Sequence, residues 1–381
     1  MNQESTNQVC LSETSEISEI SETVSVPFHD RLFCLDLLKA ISIISVVFYH
    51  AIFVPRSTYT DSLYLLDLIA APLRFCVPVL FTISFLLFSK GFEKSVEKSD
   101  WHILEKRMTR LAIPTLFWFS LTIVLKFVAG GNPLPSLMLA VANGTIFQGA
   151  YYLLVLFQMM PLLILFRVWL KSRRAIPFTV VLQGIIFLVV YFMLANASEF
   201  DSLLAVLRSV GRPFLLYWIV YAALGVFLWQ HWSKLVDRSH QISGSVKLAS
   251  LGTGVGLVIL ERSILFSFAQ GNIAPFDYNL LTCILMTPII FLCAVSIRKA
   301  QIPQAIGSFI VLVSRYSLGI FCINGIASEV FLSIGSRFAN HLSFNLTEIL
   351  LIQLFGWIVL FFLSLKLSIW LDRLGLGAVV R

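Results

Sequence analysis

The chain is a succession of apolar runs, each about as long as a bilayer is thick. A run of about 20 apolar residues spans hydrocarbon as a helix, because in lipid each backbone N–H and C=O must find its partner within the segment. The runs are Leu32–Val54, Leu63–Ser89, Leu111–Val128, Tyr151–Leu170, Ile176–Asn196, Pro213–Trp229, Val246–Phe268, Leu280–Ile297, Ile306–Ile334 and Leu346–Leu371. They predict an all-α, polytopic membrane helix bundle of about ten spans. The ninth run is long and interrupted by Arg315, so a tilted or broken helix is expected there. Only 13% of the 381 residues are charged and 58% are hydrophobic, against roughly 25% charged in soluble domains. A soluble enzyme, a disordered scaffold and a β-rich secreted module are excluded.

The charges that remain are unevenly placed. The net charge is +7, which in a soluble protein would suggest nucleic acid. Here it reads as loop charge that orients the spans, and no nucleic-acid partner is expected. With a cytoplasmic N-terminus, the inner loops collect Lys90, Lys94, Lys98, Lys106, Arg107, Arg110, Lys171, Arg173, Arg174, Lys234, Arg238, Lys247, Arg298 and Lys299, and the basic tail ends with Arg373 and Arg381. The outer loops keep only Arg56, Arg208, Arg212 and Arg337. One span more or fewer would scramble this asymmetry, so both termini are expected in the cytoplasm.

Residues 1–30 stand apart as an acidic, Ser/Thr-rich stretch without Lys, and with Arg first at position 31. They have no basic segment followed by an apolar one, so they are read as a disordered cytoplasmic tail and not as a signal peptide. Residues 31–381 form the membrane domain. The six cysteines include no CxxC pair, so neither a disulfide framework nor a metal site is expected.

An ionisable group inside a span costs several kcal/mol or more, up to well over ten in some treatments, and is a functional candidate by default. The first span carries Asp36, Lys39 and His50. The eleven-residue step from Lys39 to His50 is about 20° short of whole helical turns, so they share a face, about 16 Å apart along the axis. Asp36 and Lys39 are i,i+3 neighbours and suit an ion pair. In the second span, Asp67 either orients His50 or pairs with Arg74, and pairing is preferred. Glu261 and Arg262 are read as packing groups. Ahead of the third span, Arg107 and Arg110 lie on one helix side, where two guanidinium forks can grip a phosphate. A cytoplasmic loop is basic in any case, so that signal is weak alone.

Taken together, these segments resemble the acyltransferase-3 family of integral-membrane O-acyltransferases. The stretch Arg31-Leu-Phe-Cys-Leu-Asp36-Leu-Leu-Lys39 through Phe48-Tyr49-His50 resembles its first helix, where a basic residue stands eleven positions before a histidine. Arg107-Met-Thr-Arg110, followed by Pro114, resembles its RxxR segment. Pro78–Leu87, Tyr151–Pro161 and Tyr316–Phe321 resemble later helices, and the likeness runs from about Arg31 to Arg381. Several positions depart from the pattern. Lys39 stands where Arg is commoner, Phe85 where Gly is usual, Tyr151 and Tyr152 where Trp-Phe is common, and Asn324 where His is frequent.

The resemblance implies transfer of an acyl group, usually acetyl, from cytoplasmic acyl-CoA to a hydroxyl of a cell-surface glycan or lipid-linked sugar. It implies His50 as general base, Lys39 as a charge stabiliser or guide for the thioester arm, and Arg107 and Arg110 on the CoA phosphates. Acyl-CoA would be a co-substrate, with no metal. The expected setting is a bacterial inner or plasma membrane, and the expected partners are membrane lipids and the glycan acceptor. A transporter or exporter of a polar glycan is the alternative, although no paired halves with broken helices are visible. A non-catalytic partner in a polysaccharide synthesis complex is a third reading. The longest outer loop, Gly130–Ala150, is expected to fold over the site, and Tyr59 and Tyr278 are outer aromatics suited to interface anchoring or sugar stacking.

Overall fold

The computed structural model describes residues 33–59, 63–93, 100–130, 133–270, 278, 280–339 and 341–381. The acidic tail and Arg31 lie outside the described residues. Those described are helical, with no strand among them and one isolated β-bridge, between Tyr59 and Phe344. In chain order the helices are α1 (Phe33–His50), α2 (Leu63–Ile69), α3 (Cys76–Glu93), α4 (Asp100–Val128), α5 (Leu134–Ala142) and α6 (Tyr151–Leu165). They continue with α7 (Arg167–Leu170), α8 (Ala175–Ala195), α9 (Asp201–Val210), α10 (Ile219–Gln230), α11 (Trp232–Gln241) and α12 (Gly244–Phe268). The last are α13 (Leu281–Ala294), α14 (Gln304–Arg315), α15 (Ser317–Ala339), α16 (Leu346–Arg373) and α17 (Gly377–Val380).

Seven segments among the described residues are long and apolar enough to cross a membrane: α1, Ala71–Phe92, Trp101–Val128, α8, α12, α15 and α16. The expected count of about ten adds three runs that fold as the short apolar helices α6, α10 and α13. Seven is the number that length and composition support.

Two expected spans are broken. The run Leu63–Ser89 is not one helix, because α2 ends at Ile69 and a 3-10 turn, Ala71–Phe75, containing Pro72 leads into α3. Proline lacks the N–H that would continue the ladder, so the α-helix is interrupted there. The ninth run breaks at Tyr316, between α14 and α15. The Tyr316 hydroxyl donates to Asp372 Oδ2 on α16 at 2.5 Å, which fixes the break.

α1 lies in the middle, packed on α3, α13, α14, α15 and α16. In lipid, helices associate through close packing and internal hydrogen bonds more than through burial from water. α3 and α10 show how the departure at Phe85 is accommodated. Phe85 is fully buried, and the missing small residue is supplied from the partner helix by Gly225, where a Cβ would sit 2.7 Å from Thr82 O and 2.8 Å from Phe85 Cβ. α16 also holds the far end of α1 by its side chains. Gln353 Nε2 donates to Phe48 O at 3.1 Å and Trp357 Nε1 to Ile44 O at 3.2 Å.

Candidate active site

Two sizeable cavities open in the bundle. The first, about 270 Å³, is lined by Lys39 from α1, Arg107 and Arg110 from α4, Ser84 from α3, Tyr152 from α6 and Phe321 from α15. The sequence reading treats Lys39 and the RxxR pair as separate signals, and the fold brings them into one space. Arg107 is half-buried, with Nη2 donating to Leu87 O at 3.0 Å and the guanidinium 6.0 Å from the centroid of the Phe88 ring. Arg110 is exposed one turn on. At the floor, Tyr152 and Ser84 share a hydrogen bond of 3.1 Å, and the Tyr152 and Phe321 rings lie 5.2 Å apart.

Lys39 does not pair with Asp36, contrary to expectation. Asp36 Oδ1 accepts instead from Ser314 Oγ, at 2.6 Å, across the α1–α14 contact. The break at Tyr316 is what brings Ser314 to that position. Among the described residues, the Lys39 ammonium makes no hydrogen bond or ion pair and faces the cavity.

Arg381, which the sequence reading places only in a basic tail, also lines this cavity. The chain after α16 folds back, burying Val379 and Val380, while Trp118 Nε1 donates to Val379 O at 2.9 Å. The Arg381 guanidinium bonds to Asp372, and that hydrogen bond raises its pKa above the ordinary arginine value. No sequence motif marks this contact, which follows from the fold-back alone.

The second cavity, about 370 Å³, is walled by the turn after α5, the end of α9, Arg212 and Glu329. Of the expected Gly130–Ala150 loop, Leu134–Ala142 is the helix α5, and residues 143–145 and 147–149 form part of this wall. Glu329 and its partner Lys126, 2.8 Å away, are intramembrane charges that the sequence reading missed. An acidic residue inside the ninth run was the available signal.

His50, the last residue of α1, is not among the residues lining either cavity and lies behind Gly149 and Phe321, one from each wall. A Cβ on Gly149, which lines the second cavity, would lie 2.7 Å from the Phe321 ring and 3.4 Å from His50 Cε1. Gly149 has φ +91°, a conformation L side chains rarely adopt, so backbone alone fills this position. The partition between the cavities is therefore one backbone and one ring thick, with the imidazole against it.

Asn324 on α15 fixes the imidazole. Its Nδ2 donates to His50 Nδ1 at 3.2 Å and to Phe321 O at 3.3 Å, and its Oδ1 is buried without a partner among the described residues. In this arrangement His50 Nδ1 accepts, so the proton of the neutral ring is on Nε2. A half-turn of the amide reverses the roles, and Oδ1 would then accept from Nδ1–H and leave Nε2 its lone pair. Asn324 is thus a contact of His50 in its own right and not only a departure from a family pattern.

Asp67 belongs elsewhere. Its carboxylate takes Arg74 Nη2 at 2.6 Å and Arg262 Nε at 2.8 Å, both arginines being buried, which bears out the preferred pairing with Arg74. Glu261 accepts from the backbone N–H groups of Leu281 and Thr282 and so caps α13. Tyr278 is buried against Trp218 and Tyr151, where it has no open face for a sugar. Among the described residues, no group of three or more His, Cys, Asp or Glu could hold a metal ion.

No curated protein and no solved structure matches the chain. A family model does: the acyltransferase-3 model, described as an acyltransferase domain, matches residues 32–373, and the chain belongs to that family of membrane acyltransferases.

Proposed function

We propose that the protein moves an acyl group, acetyl in the simplest case, from a cytoplasmic acyl-CoA to a hydroxyl of a cell-surface glycan or lipid-linked sugar. The observation that carries this reading is the position of His50 at a thin partition between an arginine-lined cavity and a second, polar one. The donor phosphates would rest on Arg107 and Arg110 at the mouth of the first cavity, with Arg381 beside them. The thioester arm would pass Lys39 toward Tyr152 and Phe321. The acceptor would come from the second cavity. This division needs the Arg107 end of the bundle to face the cytoplasm, the orientation that the loop charges favour, in a bacterial inner or plasma membrane.

The chemistry then assigns each group one task. The acceptor oxygen attacks the thioester carbonyl while His50 takes the hydroxyl proton, forming the new C–O bond. The tetrahedral oxyanion collapses, the C–S bond breaks, and the departing thiolate takes the proton back from the imidazolium. Lys39 supplies positive charge along the donor path. Phe321 would have to swing aside for the two substrates to meet, because its ring and Gly149 close the partition in this state. Since Nδ1 is the accepting atom as the amide stands, Nε2 acts as base once the Asn324 amide turns.

The test is release of free CoA by purified protein given acetyl-CoA and a glycan acceptor. Replacing both Arg107 and Arg110 by Ala should raise the donor KM by about tenfold or more, since charge-assisted bonds are worth roughly 1.5–3 kcal/mol. Arg381→Ala, at an exposed site, should raise it by no more than about fivefold. An unchanged KM in the double variant would remove the phosphate role.

A further inference from the structure

Attack on the thioester moves the carbonyl π pair onto oxygen, and that oxyanion calls for a hydrogen-bond donor aimed at it. Lys39 does not reach the partition where the attack takes place. Eleven residues of α1 separate it from His50, a rise of about 16 Å, which a lysine side chain does not span.

Tyr152 is a polar residue of the donor cavity built against that partition. Its backbone N–H donates to Gly149 O at 2.9 Å, and its ring lies 5.2 Å from that of Phe321. Gly149 and Phe321 are the two residues in contact across the partition. The Tyr152 ring also meets the fully buried Phe81 ring at 4.5 Å, so aromatic contacts from α3 and α15 hold it in place.

The hydroxyl proton of Tyr152 rests on Ser84. Ser84 carries one O–H, which donates to Leu80 O at 2.9 Å. In the 3.1 Å contact between the two hydroxyls, Tyr152 is therefore the donor and Ser84 Oγ the acceptor. Ser84 is a neutral acceptor, and an oxyanion is a stronger one. Rotation about the Cζ–O bond redirects the Tyr152 proton, while Ser84 keeps its bond to Leu80. Ile43, Leu80, Leu153 and Leu156 make the neighbouring wall apolar. In such surroundings a hydrogen bond to developing charge is stronger than in water.

We propose that the Tyr152 hydroxyl is the oxyanion donor of the acyl transfer. As the new C–O bond forms and the carbonyl pair moves to oxygen, the Tyr152 O–H turns from Ser84 to that oxygen without giving up its proton. When the pair returns and the C–S bond breaks, the hydroxyl turns back to Ser84. The acceptor proton passes through His50 to the thiolate. The assignment rests on the acyl-transfer reading and adds to it a catalytic residue that binds neither the CoA phosphates nor the acceptor.

The full chain is reconstituted in phosphatidylcholine nanodiscs with acetyl-CoA isotopically labelled at the acetyl carbonyl, and no acceptor is added. Isotope-edited infrared difference spectra then read the carbonyl stretch, which a hydrogen-bond donor lowers. The wild-type band should lie below that of free acetyl-CoA. Tyr152→Phe, which removes a single oxygen, should return the band to the free position while acetyl-CoA binding by equilibrium dialysis stays as in wild type. Ser84→Ala should keep the lowered band, because it removes only the competing acceptor. In the CoA-release assay, Tyr152→Phe should lower kcat by about tenfold or more at unchanged donor KM. One oxyanion donor is worth about 10²–10³ in kcat, and the neutral bond to Ser84 that it gives up offsets about two- to thirteenfold of this. A wild-type band at the free position, a lowered band that survives Tyr152→Phe, or an unchanged kcat would overturn the proposal. Should Tyr152→Phe fail to fold, loss of the lowered band in Ser84→Ala would overturn it. A protein that does not bind acetyl-CoA would overturn the donor reading and this assignment with it, whereas binding with an unshifted carbonyl would overturn this assignment alone.

Discussion

Asn324→Leu separates a residue that positions the base from one that performs chemistry. Leucine is close to asparagine in size and removes the amide that contacts His50 Nδ1 at 3.2 Å, and with it the Oδ1 that accepts from Nδ1–H in the turned arrangement where Nε2 is the base. A neutral hydrogen bond of this kind contributes about 0.5–1.5 kcal/mol net. If all of it is lost from the oriented imidazole, turnover falls by about two- to thirteenfold. Removing a general base outright costs roughly 10²–10⁴. Asn324→Leu is therefore expected near a tenfold loss in kcat, far above the floor set by His50→Ala. The donor KM should not move, because Asn324 does not line the arginine cavity. Asn324→Asp should recover part of the loss, since its carboxylate accepts from Nδ1–H and leaves the lone pair on Nε2. The assay is steady-state CoA release at saturating acceptor, with a melting curve on each variant to confirm folding. Wild-type turnover in the Leu variant would refute the positioning role, and a fall to the His50→Ala floor would show that Asn324 itself takes part in the reaction.

Asp67→Asn should destabilise the protein without a specific loss of chemistry. Arg74 is 2% exposed and would lose its carboxylate. Breaking a buried pair costs about 3–5 kcal/mol, toward the lower end here because the Asp67 side chain is 28% exposed. A drop in melting temperature with turnover per folded molecule intact confirms the role, and an unchanged melt with lost turnover contradicts it. Gly149→Ala should fold with roughly 1–3 kcal/mol of added strain from its positive φ. It should lose acyl transfer by about tenfold or more, because the new methyl reaches the Phe321 ring and His50, while donor binding measured by equilibrium dialysis stays as in wild type.

Legibility in the sequence followed the range over which each signal acts. Hydropathy acts within one segment, so the helical membrane bundle was readable, and so was the shared face of Lys39 and His50 on α1. Breaks were readable only where a residue announced them. Arg315 flagged the division of the ninth run, and Pro72 was the available but unused signal for the 3-10 turn at Ala71–Phe75. The runs of α6, α10 and α13 fold as apolar helices of 12 to 15 residues, so length alone does not mark them as spans. Partners distant in the chain were not legible. Asp36 has a lysine three residues on, the natural local partner, yet bonds to Ser314. Asn324 meets His50 across the α1–α15 contact, and Arg381 reaches its cavity by a fold-back. Charge spacing suggested the Asp67–Arg74 pair because both residues lie within two turns, but its third member, Arg262, comes from α12.

The central claim is that His50 passes an acyl group between substrates arriving from opposite ends of the bundle. It is tested most directly in sealed vesicles holding the oriented protein, with acetyl-CoA supplied only on the Arg107 face and the glycan acceptor only on the other. Wild-type protein should place labelled acetyl on the acceptor while free CoA accumulates on the donor side, and His50→Ala should reduce transfer by about 10²–10⁴ with donor binding retained. Undiminished transfer by His50→Ala, or transfer only when donor and acceptor share one face, would contradict it.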